Sequence, residues 1–168
     1  MVDQPRIFVV AGSAWPPLQT VWPSLRSKPV IKRLMMTFTI ICSLVGTIAM
    51  AQDRNIEAAK KGAESWLAIV DKGDYAASYD EAARIFKLAV TKEDWLQKVR
   101  AARGPLGKVI SRKLKGAQYK TSLPGAPDGE YVVIQYDTSF DNKRSAVETI
   151  TPTLDKDAQW RVSGYFIR

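Results

Sequence analysis

The spacing of apolar residues changes character once along this chain, at Gly104-Pro105-Leu106-Gly107, and that change constrains the fold more than any other feature. Before it, apolar residues recur every three or four positions, the repeat of one helix face. After it, they alternate with polar residues, the repeat of a half-buried strand. Ile56, Ala59, Ala63, Trp66, Leu67 and Val70 predict a first helix over about 54–72, stopped by Gly73. Asp74 is placed to cap a second helix bearing Tyr75, Tyr79, Ala82, Ala83 and Phe86. Thr91 and Asp94 resemble a capping box opening a third, with Trp95, Leu96, Val99 and Ala102 on its stripe. Four strands are expected at about 108–121, 130–140, 145–154 and 159–168. The separators at 124–129, 141–143 and 155–157 carry turn residues, and such short links join antiparallel neighbours. The layout is α+β: N-terminal helices packed on one face of a curved four-stranded antiparallel sheet.

Composition excludes much chemistry. The chain has no His, and its one cysteine, Cys42, falls outside the patterned region. Cysteine nucleophiles, histidine bases, Ser-His-Asp triads and Cys/His zinc sites are therefore absent from residues 52–168. No calcium-loop motif occurs, and neither metal nor cofactor is expected. The net charge of +8 falls to +4 over residues 52–168, where 20 basic residues face 16 acidic ones. No acidic residue lies between Trp95 and Pro127, while Lys98, Arg100, Arg103, Lys108, Arg112, Lys113, Lys115 and Lys120 do. That stretch is either a patch for anionic lipid or glycan or a solvated face neutralised by Glu130, Asp137, Asp141 and Glu148. No nucleic-acid-binding motif is present, and nucleic acid is not an expected partner.

Residues 30–51 have the three parts of a secretory signal. Lys32 and Arg33 supply the basic start, residues 34–50 the apolar run, and Ala49-Met50-Ala51 the small-residue site that places cleavage between Ala51 and Gln52. The expected location is periplasmic or secreted. The alternative is an inner-membrane anchor through the 19 uncharged residues 34–52, close to the ~20 that span a bilayer. Ile41 before Cys42 is not the small residue that lipidation requires. Residues 1–29 hold five of the nine prolines and no sustained period, so they read as a mis-assigned or unstructured leader, with Val30, Met35 and Met36 as other possible starts. Residues 52–168 remain as a single domain, long enough for a core without disulfides.

Several segments carry a resemblance. They include Gly73-Asp-Tyr-Ala-Ala-Ser-Tyr79, Arg103-Gly-Pro-Leu-Gly107, Leu123-Pro-Gly-Ala-Pro-Asp-Gly-Glu-Tyr131, Tyr136-Asp-Thr-Ser-Phe140, Ala146-Val-Glu-Thr149 and Trp160-Arg-Val-Ser-Gly-Tyr-Phe-Ile167. Over residues 56–168 the chain resembles the small exported bacterial proteins grouped as domain of unknown function 4019. The resemblance implies a cystatin-like or nuclear-transport-factor-2-like cone and an exported location, and it implies no reaction. Tyr79 stands where the family more usually has Trp.

On the second strand Val132, Ile134, Tyr136, Thr138 and Phe140 share a face, and on the fourth Trp160, Val162, Gly164 and Phe166 do. Both faces are expected to line the interior. Tyr136 then carries a hydroxyl inward that needs a partner, with Glu148 and Arg112 as candidates. Which face Glu148 shows is open, because Val147 and Thr149 compete with Glu148 and Ile150 for the inside. The cluster of Tyr136, Arg112 and Glu148 is either a small-ligand site or a core tyrosine beside a cross-strand ion pair on the outer face. The expected function is a non-catalytic domain binding a small ligand or an envelope component. The alternative is a small hydrolase or isomerase using an internal carboxylate.

Overall fold

The computed structural model describes the backbone from residue 41 to residue 168 and side chains from Gln52. The leader at 1–29 and the basic start of the signal segment lie outside the described residues. Four helices come first: α1 (Ile41–Asp71), α2 (Tyr75–Asp80), α3 (Arg84–Ala89) and α4 (Lys92–Arg103). One 3-10 turn at Gly104–Leu106 leads into β1 (Val109–Lys120), β2 (Tyr131–Phe140), β3 (Lys143–Leu154) and β4 (Trp160–Ile167). The strands form one antiparallel sheet in the order β1-β2-β3-β4. The expected α+β layout and strand meander are therefore what the chain builds.

The helix boundaries follow local chemistry. α1 starts well before residue 54 because no proline interrupts it, and it runs through the Ala51–Gln52 junction. Among the described side chains of α1, Ile56 is the first that packs against the core. Gly73 ends the turn with φ +79°, a conformation that costs glycine little. Asp74 Oδ1 accepts from the Ala77 N–H at 3.0 Å, and Thr91 Oγ1 accepts from the Asp94 N–H at 3.1 Å, so both expected caps form. The expected second helix is split in two. Ala83 turns extended, with ψ 152°, and its N–H donates to the Val162 carbonyl of β4 at 2.9 Å. A bond to an otherwise open sheet edge outweighs helix continuity there.

The helices and the inward strand faces share a main core, containing Ala63, Trp66, Leu67, Phe86, Trp95, Val99, Val132, Ile134, Ile150 and Val162, while Leu106, Phe140 and Ala146 form a smaller separate cluster. An aromatic chain crosses it from Tyr165 through Trp66, Trp95 and Phe86 to Tyr79, with ring centroids 5.1–6.0 Å apart. The indole N–H groups are satisfied: Trp66 donates to the Ser78 carbonyl at 2.7 Å and Trp95 to Ser78 Oγ at 3.0 Å. Gly62 brings α1 against β4, where a Cβ at that position would stand 2.6 Å from the Trp160 carbonyl oxygen.

Two strand faces settle the open questions. Val132, Ile134, Tyr136, Thr138 and Phe140 are all buried, as the alternation of β2 predicts. On β3, Ala146, Glu148 and Ile150 point inward, so Val147 and Thr149 lose that competition. β4 departs from simple alternation. Thr151 pairs with Gly164 but Pro152 pairs with Val162, leaving Ser163 as an extra residue. This bulge reverses the inward phase beyond it, so Tyr165 and Ile167 reach the core in place of the expected Gly164 and Phe166.

Candidate functional site

Glu148 is the centre of the arrangement. Alternation on β3 turns it inward, and it is fully buried at 0% exposure. A buried carboxylate requires paired charge and hydrogen bonds on every side. The neighbouring strands supply them. Thr138, opposite Arg112 in the β1–β2 register, donates its hydroxyl to Oε2 at 2.7 Å. Arg112 donates Nε–H to the same oxygen at 2.6 Å and reaches Oε1 through Nη2 at 3.3 Å. Tyr165, brought inward by the β4 bulge, donates to Oε1 at 2.6 Å. Arg103 contributes Nη1 at 3.4 Å from Oε1.

Both arginines turn their outer nitrogens to one further carboxylate. Asp71, the last residue of α1, accepts from Arg103 Nη2 at 2.8 Å, from Arg112 Nη1 at 2.8 Å and from Arg112 Nη2 at 3.1 Å. The cluster thus runs from the interior to the surface: side-chain exposure is 0% for Glu148, 4% for Arg103, 17% for Arg112 and 27% for Asp71. The Arg103 guanidinium also lies 4.8 Å from the Phe140 ring centre, within cation–π range. One ionic group therefore joins α1, α4 and all four strands.

The charges act on one another. Burial by itself pulls the Arg112 pKa down, but hydrogen bonds to Asp71 and Glu148 and their charges outweigh it and hold the guanidinium above its usual value. Burial, reinforced by the Glu148 charge, pushes the Tyr165 hydroxyl well above the usual phenol range, so it serves as a donor.

Of the three residues expected to form a site, the structure brings Arg112 and Glu148 into direct contact, inside the domain rather than as a pair on the outer face. Tyr136 stands opposite Glu148 in the β2–β3 register, yet its hydroxyl is buried without a hydrogen-bond partner among the described residues. Burial, then the nearby Glu64 charge, raises its pKa. Sequence reasoning missed Arg103, Asp71, Thr138 and Tyr165 as members. A signal existed for two of them. Arg103 lies four residues beyond Val99 and eight beyond Trp95, and Asp71 lies four beyond Leu67, so both extend apolar stripes with a charge.

The basic stretch is divided in use. Arg103 and Arg112 face the internal acids, Lys115 pairs with Asp137 at 3.0 Å, and Lys98, Arg100, Lys108 and Lys113 are exposed. At the far end of the domain a shallow recess lined by Asp80, Arg84, Lys87, Asp155, Asp157 and Arg161 carries both signs of charge. Among the described residues, no group of three acidic, His or Cys side chains is placed to hold a metal ion, and no helix is long and apolar enough to cross a membrane.

Comparison with curated proteins and with solved structures finds no match. A family model does match, over residues 62–165, a span that contains every member of the ionic cluster. The chain belongs to the family described as protein of unknown function (DUF4019).

Proposed function

We propose that residues 52–168 act as an exported, non-catalytic binding domain, rather than as a hydrolase or isomerase using an internal carboxylate. The observation that supports this reading is the saturation of Glu148. A general base needs a free lone pair within reach of the proton it takes. Both Glu148 oxygens instead accept from Arg112, Arg103, Thr138 and Tyr165 at 2.6–3.4 Å, and the group is fully buried. No other carboxylate among the described residues is buried. Catalytic duty for Glu148 would require breaking an ion pair on which the packing rests. Export is supported by Lys32-Arg33, the apolar run and the Ala49-Met50-Ala51 site.

Two measurements test the proposal. Intact-mass analysis of the protein from its host should give a chain starting at Gln52, and a product retaining residues 34–51 would leave the membrane anchor instead. A metabolite library screened by thermal shift and for turnover in the same wells should yield stabilising compounds that remain unchanged. A ligand at about 100 times its dissociation constant stabilises by ~2.7 kcal/mol. Product formation abolished by Glu148→Gln would overturn the non-catalytic reading.

A further inference from the structure

We infer that Arg103 and Arg112 form a binding site for a carboxylate-bearing ligand, and that Asp71 fills this site from within the same chain. The inference rests on the binding reading above and gives it a ligand class. Three N–H groups from two guanidiniums converge on the Asp71 carboxylate at 2.8, 2.8 and 3.1 Å, addressing both of its oxygens. That is the fork geometry by which arginine selects planar carboxylates. The receiving groups are built in: Glu148 and the Phe140 ring hold the guanidiniums from behind, and the Arg103 side chain is only 4% exposed.

Asp71 differs from the other members. Among the described residues its carboxylate accepts hydrogen bonds from the two arginines alone, its side chain is 27% exposed, and it stands at the last position of α1. A turn about its own side-chain bonds takes it into water while the helix stays in place. The cluster then holds two guanidiniums against the single carboxylate of Glu148, an excess positive charge that is largely buried. An isolated buried charge is costly, so the vacated position favours an incoming anion of the same shape.

The test uses the full chain, as wild type and as Asp71→Ala, melted in sodium acetate, sodium phosphate and sodium chloride at matched ionic strength. Asp71→Asn keeps the side-chain shape without the charge and carries the same expectation should the alanine variant not fold. A competitor tethered in the same chain acts at an effective concentration in the mM range or higher, so its removal should tighten apparent acetate binding, by about tenfold when that concentration is about ten times the site's own acetate dissociation constant. The expected result is a melting temperature that rises with acetate beyond the chloride control in the variants and not in wild type. Equal responses of variant and wild type, or equal effects of acetate and chloride, would overturn the site. A stronger response to phosphate than to acetate would overturn the carboxylate assignment. Turnover by wild type would defeat the binding reading without altering the acetate titration, so the two failures are distinguishable.

Discussion

Replacing Glu148 with glutamine tests the ionic cluster at its most constrained point. The substitution keeps the shape of the side chain and changes one oxygen into an NH2 group. One position can still accept, from Tyr165 at 2.6 Å for example. At the other, the new amide hydrogens confront the Arg112 Nε–H, whose nitrogen lies 2.6 Å from the present oxygen. Thr138 can rotate its hydroxyl to accept; the guanidinium has no acceptor to offer. The lost charge-assisted bond is worth about 1.5–3 kcal/mol. Among the described residues the two arginines are left with Asp71 as their sole counter-charge, and breaking a buried pair in this way costs about 3–5 kcal/mol in total. Against a typical stability of about 5–15 kcal/mol, this lowers the melting temperature by roughly 15–30 °C. Urea unfolding followed by the fluorescence of Trp66 and Trp95 measures it, with the denaturant slope unchanged. Lys115→Ala is the control: it breaks an exposed pair with Asp137 and should cost less than about 0.5 kcal/mol. A loss below ~1 kcal/mol for Glu148→Gln would refute the view that this carboxylate holds the domain together.

Three further outcomes are expected. Tyr165→Phe removes the donor to Glu148 and should cost about 1.5–3 kcal/mol in urea melts, whereas Tyr136→Phe removes a hydroxyl with no described partner and should be neutral or stabilising; equal losses would contradict the hydrogen-bond assignments. Gly62→Ala forces a Cβ to 2.6 Å from the Trp160 carbonyl oxygen, and the overpacking should cost about 1–3 kcal/mol despite alanine's better helix propensity, with a gain in stability refuting the close approach. The Asp157 carboxyl, hydrogen-bonded by Arg161, should titrate at about 2 by NMR instead of the usual 3.8, and Arg161→Ala should return it to the ordinary range. Because its folded pKa is depressed, whatever stability it contributes is present above pH 4 and is lost as pH falls towards 2.

The α-to-β order, both helix caps, the glycine stop at 73 and the buried face of β2 were legible in residue spacing, because each depends on neighbours within a few positions. The inward turn of Glu148 was not legible. On β3, Val147 and Thr149 suit a core as well as Ile150 does, and a period of two cannot say which phase faces in. Trp160, Val162, Gly164 and Phe166 were placed on one face, and Ser163 spoils that reading after Val162. A bulge is a property of two strands in register, with no fixed residue signature on either. The split of the second helix at Ala83 likewise depends on a bond to β4, some eighty residues away.

The local pattern of this chain determined the order of its elements and the apolar faces they bury, because periodicity and capping act over one or two turns. Only the tertiary structure decided that Asp71, Arg103, Arg112, Thr138, Glu148 and Tyr165 meet. Those residues come from six different elements, and none of the short-range forces that shape a helix or strand links them. What assembles them is the cost of burying one carboxylate, which the fold meets by gathering donors from every element within reach.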